Sequence, residues 1–143
     1  MTRKSHLIFL TAFLLISTGV SAQATYKIKL TNLENKKGDV YIGWYTNPSD
    51  FMKPKKATIA KIVPVNGVGQ VIVSFNRVPA GKYAISAFLD ENGDKDLNLG
   101  FFGKPTEKYG FSNEIRPTMR PAFFSEAAFD VNGKDGEMTI ELK

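Results

Sequence analysis

The chain has 143 residues, with 19 Lys and Arg against 14 Asp and Glu for a formal charge of +5, no cysteine and a single histidine, His6. That length fits one domain. The missing cysteines exclude disulfides and thiolate metal sites, and a positive balance this mild argues against a nucleic-acid partner.

The first element in chain order is a targeting segment. Arg3 and Lys4 precede an apolar run over 7–16, and Val20, Ser21 and Ala22 supply the small-residue pattern a signal peptidase reads. The expectation is a signal peptide over 1–22, cut after Ala22, then one β domain over 23–143 in an exported protein, periplasmic or secreted. The apolar run is shorter than the roughly 20 residues a permanent span needs, and no cysteine follows to accept a lipid, so no transmembrane or lipid anchor is expected. His6 leaves with this segment. Its loss removes Ser-His-Asp and Cys-His nucleophile systems, histidine acid-base chemistry and imidazole zinc sites together. Without Arg3 and Lys4 the balance is 17 Lys and Arg against 14 acids, or +3. Lys53, Lys55, Lys56 and Lys61 read as a solvated edge guarding a strand, with an acidic surface or lipid headgroups as the other reading.

From residue 26 onward the pattern alternates, as strands do, and Gly, Asn and Pro punctuate it. Strands are predicted over 26–30, 40–45, 57–65, 70–75, 83–89, 123–131 and 138–142. Asn66-Gly67 marks a hairpin turn, and Asn47-Pro48 breaks the sheet. The 83–89 strand has apolar residues on both faces, which predicts a central position. No segment carries a helical stripe. Seven short strands imply an all-β fold, a single antiparallel β-sandwich of immunoglobulin-like or transthyretin-like type with one long loop. The predicted core is Ile28, Leu30, Ile42, Trp44, Ile72, Val73, Ile85, Ala87, Phe129 and Ile140.

More than thirty residues without a strand pattern separate Leu89 from Ala122. Loops of that length are commonly functional or disordered, and the apolar load of Leu97, Leu99, Phe101, Phe102, Tyr109, Phe111 and Ile115 predicts an ordered one. At its head, Asp90, Asn92, Asp94, Asp96 and Asn98 alternate as oxygen donors do in calcium loops. An EF-hand is excluded, because Lys95 and Phe101 stand where Gly and a bidentate Glu are required. Two readings stay open: a calcium site completed by Glu91, Glu107 or Glu114, and an ion-free turn whose side chains bond nearby backbone N–H groups. Phe101, Phe102, Tyr109 and Phe111 form either a ligand-binding platform for a sugar ring or apolar ligand, or anchors for the loop.

Several stretches carry a family resemblance: Leu30-Thr31-Asn32-Leu33, Gly38-Asp39-Val40-Tyr41-Ile42, Val78-Pro79-Ala80-Gly81-Lys82-Tyr83-Ala84-Ile85, Asp90-Glu91-Asn92-Gly93-Asp94 and, most specifically, Gly103-Lys104-Pro105-Thr106-Glu107-Lys108-Tyr109-Gly110-Phe111-Ser112-Asn113. Together they resemble the bacterial domain of unknown function 2141 over nearly all of 23–143. The resemblance implies an exported all-β protein whose biochemical role is not established. Family members often read His-Asp at Leu89-Asp90 and Asn-Gly at Asp94-Lys95, so no histidine role carries over, and a turn glycine is replaced. The expected function is a non-catalytic exported module that binds a glycan or an envelope protein through 90–121, with a calcium ion as the candidate cofactor. The alternative is a small glycan-active enzyme using two of Asp90, Asp96, Glu107 and Glu114.

Overall fold

A computed structural model describes residues 23–143, and the predicted signal peptide over 1–22 lies outside the described residues. Eight strands form two sheets: β1 (Gln23–Thr31), β2 (Lys37–Tyr45), β3 (Ile59–Asn66), β4 (Gln70–Pro79), β5 (Gly81–Asp90), β6 (Tyr109–Phe111), β7 (Phe129–Val131) and β8 (Gly136–Glu141). One sheet has the order β4-β1-β8. The other runs β3-β2-β5-β6, and β7 also pairs with β5. The fold is the expected all-β sandwich, and β5 is the central strand that its two-faced apolar pattern predicted. It carries β2 on one side, and on the other β7 against Gly81–Tyr83 and β6 against Ser86–Phe88.

Three details differ from the sequence reading. The structure has eight strands where seven were expected, because β6 lies inside the long loop. Gly110 is the reason this strand can exist: a Cβ there would come within 2.7 Å of both Glu141 O and Ile140 Cγ2 of the opposite sheet. Secondly, the sandwich is not purely antiparallel, since β8 runs parallel to β1, with Ile28 opposite Met138 and Leu30 opposite Ile140. The chain reaches β8 by crossing from one sheet to the other, and such a crossover permits either direction, unlike a tight hairpin. Thirdly, the strand expected over 123–131 begins as a helical turn, α1 (Phe124–Ala127), before β7. Glu126 reaches back to accept the Phe123 N–H at 2.9 Å and forms a forked pair with Arg120 at 2.6 and 2.9 Å. Such an acid in the first turn satisfies an otherwise orphaned helical donor. Arg120, then the Phe123 N–H, holds the Glu126 carboxyl down at about 2.

The core lies between the sheets. Ile28, Leu30, Ile42, Trp44, Val73, Ile85, Ala87 and Ile140 are buried there as expected, and Phe129 packs against them half-buried. Ile72 is the correction, at 61% exposed. Side chains alternate along a strand, so Val73, opposite Ile28, and Ile72, opposite Lys29, cannot share a face. Trp44 is the hub, with the rings of Tyr26, Phe75, Tyr83 and Phe129 centred 5.2–5.6 Å from its own.

A second cluster covers part of the outer face of the larger sheet: Tyr45, Phe51, Ala84, Phe111, Ala122 and Ala127. Ser112 pins this layer, accepting the Ile85 N–H at 2.9 Å and donating to Ala127 O at 2.5 Å. The sheets are also tied along one side. Tyr109 and Lys143 exchange two backbone hydrogen bonds at 3.0 Å, and Arg116 donates to Tyr109 O and Glu141 O. Among the described residues no helix is long and apolar enough to cross a membrane.

Candidate functional site

The oxygen-rich segment is a chain of side-chain turns that starts where β5 ends. Asp90, only 2% exposed, uses both carboxylate oxygens on backbone donors: Oδ1 accepts the Gly93 N–H at 2.7 Å and Oδ2 the Lys95 N–H at 2.9 Å. Asn92 accepts from Asp94 N, Asp94 from Asp96 N and Asp96 from Leu97 N. Glu107 closes the loop from its far end, with Oε1 accepting the Glu91 N–H at 2.9 Å and Oε2 the Asn98 N–H at 3.1 Å. A carboxylate that accepts two amide hydrogens is a strong, geometry-fixing acceptor, so Asp90 and Glu107 act as internal staples.

Of the five predicted metal ligands, the structure brings three side-chain tips together. Asn92 Nδ2 donates to Asp94 Oδ2 at 3.1 Å and to Asn98 Oδ1 at 2.7 Å, and Asn98 Nδ2 donates to Asp94 Oδ2 at 2.6 Å. These bonds, led by Asn98 and followed by the Asp96 N–H, lower the Asp94 carboxyl from its ordinary value. Asp90 and Asp96 aim at backbone donors instead. Among the described residues no group of three or more Asp, Glu, His or Cys side chains is gathered as a metal site.

The four predicted aromatic residues separate into two pairs. Phe111 is buried in the second cluster against Phe51, and Tyr109 packs edge-on against it at 5.6 Å. Phe101, 92% exposed, and Phe102, fully exposed, sit at the tip of a finger closed by the Leu99–Pro105 bridge and the Gly100 N–H to Lys104 O bond at 2.7 Å. Phe102 holds a positive φ of 60°, which turns the chain at that tip. The four rings therefore do not share one surface.

The sequence reading missed a groove on the outer face of the larger sheet, beside the second cluster. Its volume is about 250 Å³. Tyr41 and Phe88, cross-strand neighbours on β2 and β5, stack in its floor with ring centres 5.0 Å apart and planes 13° from parallel. Gly43, Tyr45 and Ser86 extend the floor, β3 contributes Ala60, Lys61 and Ile62, and Pro54, Lys55 and Lys95 complete the lining. Burial raises the Tyr45 phenol above its ordinary value, partly offset by the Ser86 hydroxyl. The Tyr41 phenol is raised by burial first, then by the Asp90 and Asp39 carboxylates. The signal for this face was present in the alternation, where Tyr41, Gly43 and Tyr45 share the outward side of β2 and Ser86 and Phe88 that of β5. What alternation cannot supply is the rest of the lining, which comes from residues 54–55 and 95, far apart in sequence.

The bacterial family described as an uncharacterized protein conserved in bacteria (DUF2141) matches residues 28–140. No curated protein and no solved structure matches the chain.

Proposed function

The chain belongs to this bacterial family, a membership that assigns no chemistry, and we propose that it is an exported, non-catalytic module that binds a small ligand on the outer face of its larger sheet. The observation that carries the reading is the stacked Tyr41–Phe88 pair, Tyr41 half-buried and Phe88 buried, in a groove that Lys55 and Lys95 also line. Concave, mostly apolar sites with a few polar groups at the margin are the usual form of small-ligand sites. The loop over 90–121 contributes Lys95 to the lining. Chemical-shift mapping with ring-containing fragments is the test: shifts concentrated at Tyr41, Gly43 and Phe88, abolished by Tyr41→Ala, are expected. Shifts confined to Phe101 and Phe102 would return the binding face to the finger.

Export rests on Arg3, Lys4, the run over 7–16 and Val20-Ser21-Ala22. The mass of protein recovered from the cell envelope or medium should correspond to a chain beginning at Gln23. The glycan-hydrolase alternative needs two free carboxylates facing each other across a sugar, whereas Asp90 and Glu107 are spent on backbone amides. Turnover of a glycan, lost in Glu107→Gln, would replace the binding reading.

The calcium reading keeps one supporting observation, the convergence of Asn92, Asp94 and Asn98. Turning both amides over would offer oxygens to one cation, but calcium takes 6–8 oxygen ligands and these three side chains carry a single charge. The expected result is the same melting temperature in millimolar calcium and in excess chelator. A site filled at ten times its Kd would add about 1.4 kcal/mol, a shift of several degrees for a domain of this size. Such a shift, removed by Asp94→Asn, would assign the ion.

A further inference from the structure

We propose, building on the groove as the binding face, that its ligand joins a flat apolar ring to a single anionic group such as a carboxylate. The floor selects for a ring. Tyr41 and Phe88 stack nearly parallel with ring centres 5.0 Å apart, Phe88 buried and Tyr41 half-buried, and the Tyr45 ring lies over Gly43, where a Cβ would meet its Oη at 2.7 Å. A planar ring laid on the accessible part of Tyr41 extends that stack.

The margin selects for charge. Three lysines and no carboxylate line the groove. Lys61 is already engaged, donating to Ser74 O and lying over the Phe75 ring at 5.1 Å. Lys55 and Lys95 form no ion pair among the described residues. The two acids that bear on the Tyr41 hydroxyl, Asp90 first and then Asp39, are not among the lining residues, so the anionic group belongs at the lysines and away from that hydroxyl. The Ser86 hydroxyl stands 3.5 Å from that of the buried Tyr45, a long contact that leaves the half-buried Ser86 with capacity for a ligand oxygen.

The backbone supplies a control for the test. Lys95 holds a φ of 67°, a conformation that glycine adopts at less cost than a residue with a side chain. Asp90 Oδ2 maintains it by accepting the Lys95 N–H. Glycine would relieve the strain, so Lys95→Gly separates the fold from the site.

The test uses three ring-matched probes: 1-naphthoate, 1-naphthalenemethanol and 1-naphthylmethylammonium, each titrated into the full protein and followed at Tyr41, Phe88 and Lys95 by NMR. Naphthoate is expected to bind about fivefold or more tightly than the alcohol, with the ammonium weakest, as one or two surface charge contacts allow. Lys55→Gln and Lys95→Gly should each bring naphthoate toward the alcohol while the melting temperature is held or raised. Equal affinity for all three probes at these residues would overturn the anionic class and leave the groove standing as a binding face. No shift at Tyr41 or Phe88 with any probe would overturn the groove itself. Concentration-dependent shifts there without a probe would mean that a second copy of the chain covers it, which also overturns the proposal.

Discussion

Replacing Trp44 with alanine is expected to destabilise the protein by about 3–5 kcal/mol, the usual cost of emptying a large aromatic site in a packed core. That is a substantial part of a typical domain stability of about 5–15 kcal/mol. The effect is large because Trp44 is fully buried and touches rings from both sheets: Tyr26 and Phe75 from one, Tyr83 and Phe129 from the other. Its Nε1 has no hydrogen-bond partner among the described residues, so a smaller apolar ring forfeits packing and at the same time removes an unsatisfied buried donor. Trp44→Phe should therefore cost much less, about 1–2 kcal/mol, the volume loss being partly offset by the donor's removal. Urea unfolding of both variants checks the order. Equal losses would show that the indole ring does not bridge the sheets.

The second large effect belongs to the two staples of the oxygen-rich turn. Asp90→Ala and Glu107→Ala are each expected to cost about 2–4 kcal/mol, because each strips two backbone N–H groups of a charged acceptor at partly buried positions. The pair should couple. Both carboxylates fix the same segment, so the double variant should lose less than the sum of the singles, by about 1 kcal/mol. Hydrogen exchange locates the effect: the amides of Glu91, Gly93, Lys95 and Asn98 should lose protection while those of β1 and β8 keep theirs. Strictly additive losses, with protection retained over 91–98, would mean that the segment is held by something other than these two side chains.

Much of the body was legible from alternation alone. Ile28 and Leu30, Ile42 and Trp44, and Ile85 and Ala87 occur at a spacing of two, and each pair lands in the core. Ile72 next to Val73 shows the limit, because adjacent apolar residues leave the inward face ambiguous until the register with β1 is known. Strand β6 was illegible for a different reason. Tyr-Gly-Phe reads as a turn, and Gly110 becomes a strand residue only because Ile140 and Glu141 press against it from the other sheet. The aromatic residues of the loop teach the same lesson: Phe102 and Phe111 are identical in kind, yet the Leu99–Pro105 bridge carries one outward and Ser112 holds the chain after the other against the sheet. At the turn, five alternating oxygens were visible in sequence. What the sequence did not show is that Glu107 closes the turn from its far end by accepting the Glu91 and Asn98 amides.

The parallel pairing of β8 with β1 sets the order in which the molecule can assemble. Each exchange between these strands, such as the Asp135 carboxylate with the Thr25 N–H, spans 110 positions, and the bond between Tyr109 and Lys143 waits on the same final stretch. Closing contacts of such separation must lose chain entropy before they return any stabilisation, which slows folding into the millisecond-to-second range typical of sandwiches. A nascent chain has β1 first and its flanking partner last, so one flank of that strand stays open to pairing with other chains throughout elongation.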